Sequence, residues 1–558
     1  MKKIWILPIL SSIFLIIPFI YPQLDFLALL GLAPFLVFIY KGENLKKIFW
    51  TSWFSGFIFF AVIFEWILAA FPARWAGVES ELAGLLLVLF VWLGSSAVMG
   101  LSFALFGALS YKLKTGTFYD LIIIPSIWIA SQYVTAWIFS IWSWGSGGSL
   151  GAHWVFGNLG FALVEMPVVL WARIGGLYGV SFIAVFFNVF IFFILLSITF
   201  PTLNVEDSGF ISRRVKFDRR AGKLFLIFLI SVTFFIFFPV KIFKIYPTVP
   251  ALNIVNVQIN NKDGIFYHNN LRELFDKAVF SGEFVQPDII IFSEGAQIFS
   301  FFGAQEEELI KVIFPDKDKP GLLVTNTIKT LPENADVRKS FILYRNQKGE
   351  LVDEQEKSFL VPTGEFMPVS IKGVLTIFGY KNILGRFDVK RTITPGNFEE
   401  KPVNLGPYKV GVLLCSGIIT PVSYRMLALK GADIFMNSAS QNIFSGEPFL
   451  SAQIKAVARM QAISHAKPFV QATSGGRSFF VDQNGKVVWE ADSLDDRIKF
   501  LKVAPSPGKT IYTKFGDWPL IFAVFVILGA ILLKNRGFLV KFNRSMSSVK
   551  HLLSFWCF

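Results

Sequence analysis

Residues 224–259 read LFLIFLISVTFFIFFPVKIFKIYPTVPALNIVNVQI, and the chain changes character inside this stretch. Leu224–Val240 is an uncharged apolar run, as expected of a helix in a bilayer. Ala251–Ile259 is a short apolar segment that reads as a β-strand. A membrane-spanning part before residue 245 and an α/β part after Pro250 is the division this transition predicts.

Upstream, apolar runs dominate. They are Ile4–Ile20, Phe26–Tyr40, Phe49–Phe71, Leu82–Leu109, Tyr119–Phe139 and Gly176–Phe200. With Leu224–Val240 and a last run, Trp518–Leu533, about eight spans are expected. Leu82–Leu109 is long enough to tilt or to extend past the bilayer. Ile4–Ile20 follows Lys2 and Lys3 like a signal peptide, but no A-x-A-like site comes after it and a second span follows at once, so it reads as a retained helix. Over all 558 residues, 54% are hydrophobic and mean hydropathy is +0.56, which places the chain among membrane proteins. The net charge of +14 sits largely beside spans, where Lys and Arg set topology, so it does not argue for nucleic acid. Lys41, Lys46, Lys47, Lys112, Lys114, the run Arg213–Lys223 and the tail from Lys534 fall on one side; Arg74 and Arg173 fall on the other. Both termini are therefore expected in the cytoplasm, with the domain between the last two spans outside. The Trp-rich loop 140–175 is also placed outside, suited to the lipid interface. Two cysteines make no disulfide framework, and four scattered histidines show no metal-ligand spacing.

Downstream, short strands alternate with helices. Candidate strands are Ala251–Ile259, Asp288–Ser293, Gly321–Ile328, Ser340–Tyr344, Lys409–Leu414, Ile434–Asn437 and Pro468–Ala472. A hairpin, Ser478–Val481 and Lys486–Trp489, turns at Asn484-Gly485. Helices are expected at His268–Phe280 and Leu450–Ser464, where Ile454, Val457, Ala458 and Ala462 recur at helical spacing. The expected organisation is a transmembrane domain over 1–245, an α/β domain over 250–505, and a final span with a basic tail over 515–558.

Three residues carry possible chemistry. Glu294 closes an apolar strand in PDIIIFSEG; alone it is an ordinary charge at a strand end. Lys357 precedes SFLVPTGEFMP and stands in a charged run with Asp353, Glu354 and Glu356, so alone it reads as solvated. Cys415 ends KVGVLL; alone it reads as a small core residue. Its functional reading is a nucleophile on a strand-to-helix turn, with helix dipole and cations lowering its pKa.

Taken in order, Glu, Lys and Cys at strand ends resemble the carbon–nitrogen hydrolase (nitrilase) superfamily. With membrane helices on both sides, the chain resembles the apolipoprotein N-acyltransferases over nearly its full length. The stretches that carry this are LVPTGEFMP up to Pro368, GLYGVSF from Gly176, ARMQAI from Ala458 and GDWPL before the last span. The resemblance implies an αββα sandwich and no cofactor or metal. It implies Glu294 as general base, Cys415 as nucleophile, and Lys357 with the backbone N–H of Ser416 as oxyanion donors, supported by Glu365. It further implies a phospholipid acyl donor, a lipoprotein acceptor and a monomer in a bacterial inner membrane, with the catalytic domain on the periplasmic side. Ser416-Gly417 stands where the family has Tyr-Glu, and NSASQNIFSG replaces its lid segment. These departures favour either an altered acceptor or a silent scaffold as alternatives; the same triad also serves a hydrolase using water.

Overall fold

The computed structural model describes residues 4–199, 227–243, 245, 249–259, 268–296, 299, 303–331, 334–444 and 446–534. The basic run 213–223 and the tail past residue 534, used above for orientation, lie outside them. Up to residue 199 the chain forms α1 (Ile6–Ile20), α2 (Ala33–Lys41), α3 (Leu45–Ile63), α4 (Glu81–Met99), α5 (Leu101–Leu113), α6 (Asp120–Trp142) and α7 (Ala172–Thr199). Among the described residues, four apolar segments are long enough to cross a membrane: Pro22–Lys41, Glu81–Leu113, Asp120–Trp142 and Pro167–Leu195. Ile6–Ile20, Ile227–Phe243 and Trp518–Lys534 are shorter apolar helices.

Three expected spans differ in detail. The second is a 3-10 turn, Pro22–Leu29, followed by α2. The third stops as an α-helix at Ile63 and continues as a 3-10 turn, Glu65–Ala70. The fourth is α4 and α5, meeting at Gly100. A Cβ on Gly100 would lie 2.8 Å from the Phe57 backbone nitrogen, so α3 and this joint pack backbone to backbone.

The α/β part contains two six-stranded sheets. One has the order β12-β1-β2-β3-β4-β5 and the other β11-β10-β9-β8-β7-β6. In the first, β1 (Leu252–Gln258), β2 (Ile289–Phe292) and β3 (Leu322–Leu331) run parallel, and β4 (Asn334–Asn346), β5 (Leu351–Glu356) and β12 (Arg497–Val503) are antiparallel to their neighbours. In the second, β7 (Tyr408–Leu414), β8 (Ile434–Ser440) and β9 (Phe469–Ser474) are the parallel core, flanked by β6 (Val403–Leu405), β10 (Phe479–Val481) and β11 (Val487–Glu490). Ile254, Ile291 and Val324 of one sheet bury against Val412, Met436 and Val470 of the other. Leu271, Phe275 and Ile310 cover the first sheet's outer face. This is a helix–sheet–sheet–helix sandwich.

The second sheet's helical layer is shared with the membrane part. Tyr424, Leu427, Val457 and Phe469 belong to the same buried cluster as Leu163, Val169 and Val180. The helix Pro448–His465 carries Val457, Ala458 and Ala462 buried, as its spacing predicted. Its Arg459 pairs with Glu165 and donates to the Gly485 carbonyl at 2.7 Å. Arg173, counted above only for topology, is buried; it donates to Gln483 O at 2.7 Å and Asn484 Oδ1 at 3.0 Å, fixing the hairpin turn to the start of α7.

The GLYGVSF and GDWPL stretches form one joint. Trp518 Nε1 donates to Ile174 O at 2.7 Å, and the Tyr512 hydroxyl donates to Asp517 at 3.1 Å. The Tyr512 ring lies where a Cβ on Gly176 would project, and Gly176 has φ +60°. Both facts require glycine there.

Candidate active site

Three chain segments converge at one edge of the sandwich. Glu294 lies just past β2, and its N–H donates to Ala439 O of β8 at 3.1 Å. Asn326 braces this turn: Gly295 N donates to its Oδ1 at 3.0 Å, and its Nδ2 donates to Ser293 O and to Ser438 Oγ, each at 3.2 Å. Lys357 follows β5; its N–H donates to Ser340 O at 2.8 Å, and its carbonyl accepts from Gly396 N at 2.9 Å. Cys415 follows β7 with φ +39°, unusual for a residue with a side chain. Asn437 Nδ2 holds this turn, donating to Leu413 O at 3.0 Å and Cys415 O at 3.2 Å. Ser416 Oγ donates to Phe359 O at 2.7 Å, tying the Cys415 turn to the Lys357 segment.

The side chains meet. Lys357, almost fully buried, places Nζ 3.0 Å from Glu294 Oε1 and 2.7 Å from Glu365 Oε1. Glu365 also accepts from Val361 N at 2.9 Å. The Cys415 thiol points to Ser440 O at 3.5 Å. Of the sequence-predicted set, Glu294, Lys357 and Glu365 touch directly, Cys415 lies near enough for all three to act on its thiol, and Ser416 is tied to the Lys357 segment.

The electrostatics correct one expectation. Burial pushes the Cys415 thiol well above its usual range; Glu294 and Glu365 add to this and Lys357 only partly opposes them. The helix dipole that was expected to help is remote, because a 3-10 turn, Cys415–Ile419, separates Cys415 from the helix Pro421–Leu429. Burial works against the Lys357 ammonium, but Glu294 and Glu365 more than offset it and hold it charged. Burial also raises the Glu365 carboxyl, against the pull of Lys357. Such a thiol is protonated at rest, so it needs an adjacent base to react.

Sequence reasoning missed Glu400, a buried carboxylate that accepts from Ser358 Oγ at 2.5 Å and Ser423 Oγ at 3.0 Å. It links the residue after Lys357 to the helix after Cys415. Nothing in the polar run FEEKP marks it.

Beside the cluster lies an open apolar cavity of about 90 Å³. Trp66, Ile67, Ala70, Trp75, Trp142 and Trp154 line it from the membrane part, and Val361–Gly364 and Phe444 from the α/β part. Trp142 and Trp154, read above as interface aromatics, are cavity wall. The replaced lid segment rests on it: Phe444 meets Trp66 edge-on, with ring centroids 5.1 Å apart.

Comparison with known proteins matches residues 11–190 to the apolipoprotein N-acyltransferase N-terminal domain and residues 334–498 to carbon-nitrogen hydrolase. The second match contains Lys357, Glu365 and Cys415. Proteins named apolipoprotein N-acyltransferase match across most of the chain. The one from Pasteurella multocida is 24% identical over 93% of this chain and 92% of its own length; that from Haemophilus influenzae is 25% identical over 94% and 93%. Among solved structures, the carbon-nitrogen hydrolase from Helicobacter pylori G27 aligns with a TM-score of 0.32 at 15% identity, covering 51% of this chain and 94% of that one.

Proposed function

Because the chain joins an apolipoprotein N-acyltransferase N-terminal domain to a carbon–nitrogen hydrolase domain, and is homologous over most of its length to proteins of that name, we propose that it is a membrane acyltransferase of lipoprotein maturation. It moves an acyl chain from a phospholipid to the N-terminal amine of a diacylglyceryl-cysteine lipoprotein. The observation that carries this reading is the junction of a buried Glu–Lys–Glu–Cys cluster with an apolar cavity walled partly by membrane helices. A water-soluble substrate has no need of such a cavity; an acyl chain does.

In the first half-reaction, Glu294 takes the Cys415 thiol proton as sulfur bonds to the ester carbonyl carbon. Negative charge forms on the carbonyl oxygen, where Lys357 and the Ser416 N–H receive it. The C–O bond then breaks, and Glu294 returns the proton to the departing lysophospholipid oxygen. In the second half, the lipoprotein amine attacks the thioester, gives a proton to Glu294, and the sulfur leaves and regains a proton. Glu365 keeps Lys357 charged and fixed. The domains are taken as 1–245, 250–505 and 515–558, with the catalytic domain periplasmic, both termini cytoplasmic, and one chain sufficient. Cluster and cavity both lying within a single chain supports the last point.

Incubating the full-length protein with labelled phospholipid tests this. A thioester-linked acyl chain on Cys415, released to an added diacylglyceryl-cysteine peptide, is expected. Free fatty acid with no peptide product, or no label on Cys415, rejects it.

A further inference from the structure

None of the residues lining the cavity carries a charge. An acyl donor that enters it must leave its polar group outside, and a cation stands against the cavity wall. Arg391 Nε donates to Trp75 O at 3.1 Å, and its guanidinium carbon lies 5.9 Å from the Trp75 ring centroid. Trp75 itself lines the cavity. Two residues on, Ile393 N donates to Glu365 O at 2.8 Å, and Gly396 N donates to Lys357 O at 2.9 Å. The strip carrying Arg391 thus runs from the cavity wall to the catalytic cluster. Among the described residues, no carboxylate makes an ion pair with the Arg391 side chain. Its charged neighbours are Glu365 and a second cation, Arg338, whose Nη1 donates to Val389 O at 3.3 Å.

Its depth suits a lipid headgroup. Arg391 ends a helical hairpin, Val369–Ile377 and Lys381–Lys390, whose Ile371 and Phe387 pack on Ala73, Val78 and Val88 of the membrane part. The hairpin tip exposes Ile377 by 80% and Phe378 by 71%, as a segment lying on lipid would.

We propose that Arg391 binds the phosphodiester of the donor glycerophospholipid and so sets the ester against Cys415. This rests on the acyl-transfer reading above. A guanidinium presents a planar fork that matches two phosphate oxygens. Half-burial strengthens the pairing, and the bond to Trp75 O fixes the fork in place before lipid arrives. With phosphate outside and one chain inside, the glycerol ester lies along the strip that leads to Lys357.

The test reads binding, not turnover. Full-length protein in detergent is given a non-hydrolysable diether phosphatidylethanolamine and a dialkylglycerol with the same chains, and retention is measured by native mass spectrometry. Wild type is expected to prefer the phospholipid. Arg391→Gln should lose about tenfold or more of that preference, the worth of a charge-assisted hydrogen bond, while dialkylglycerol retention stays put. Arg391→Lys should recover part of it. Equal loss of both lipids would mean that Arg391 only docks the hairpin, and an unchanged preference would mean that it does not touch phosphate; either overturns the proposal. Displacement of the diether lipid by soluble glycerophosphoethanolamine at equal concentration would point to a free-phosphodiester site and overturn the lipid assignment. If wild type selects phospholipid but never acylates Cys415, the acyl-transfer reading falls and the headgroup site stands.

Discussion

Replacing the proposed base, Glu294→Gln, should move two properties of Cys415 in opposite directions. Glutamine keeps an oxygen to accept from Lys357 Nζ, 3.0 Å away in the wild type, so the geometry should survive. What goes is a negative charge that raises the thiol pKa and a group able to hold its proton. Lys357 then faces one carboxylate, Glu365 at 2.7 Å, instead of two. The thiol pKa should fall, and iodoacetamide should label Cys415 faster at neutral pH in a background lacking Cys557. Acyl transfer should fall by about 10²–10⁴, the usual worth of a general base, or about 3–5 kcal/mol of barrier. The assay pairs initial transfer rates in mixed micelles with labelling rates on the same preparation. If labelling slows, the charge argument is wrong; if transfer drops by less than about tenfold, Glu294 is not the base.

Lys357→Met leaves two carboxylates without their cation; transfer should drop by roughly 10²–10³ as an oxyanion donor is lost, and near-normal turnover would reject that role. Ala70→Phe should shorten the cavity, cutting transfer of long acyl chains relative to short ones by on the order of tenfold in a mixed-donor competition. His465 is fully buried, its Nδ1 lies 2.8 Å from Thr513 Oγ1, and burial holds its pKa down at about 3. The unfolded imidazole takes its proton near pH 6.5 and the folded one only near 3, so stability is complete above that window and is lost as pH falls through it. The Tm of wild type should decline over this range, and His465→Gln should flatten the decline.

Much of the α/β part was legible because its inner strands are continuous apolar runs: β1, β2, β7 and β8 formed within two or three residues of their expected limits. β5 was hidden. Asp353, Glu354 and Glu356 looked like a solvated charge run, yet each is neutralised by a lysine brought near by folding: Lys401 at 3.1 Å, Lys329 at 2.6 Å and Lys339 at 2.8 Å. β12 was hidden because its partner, β1, lies far away in sequence, and its basic residues obscure the alternation. The members of the proposed catalytic cluster were legible only together, since each is commonplace alone. The direction of the thiol's titration was not legible, because it depends first on burial and then on two carboxylates that outweigh one ammonium, all of them set by the tertiary fold. The cavity, assembled from Trp66, Trp142 and Val361 across three distant segments, left no local trace.

The joint burial of Tyr424, Val457 and Phe469 with Leu163, Val169 and Val180 has a practical side. Excising residues 250–505 for expression would strip one flank of the sandwich of its cover and leave greasy surface facing buffer. Such a fragment should aggregate or demand detergent, although its own strands and helices are complete. Extraction conditions chosen for the full-length chain therefore bear on the integrity of the enzyme's reactive end as much as on its anchoring.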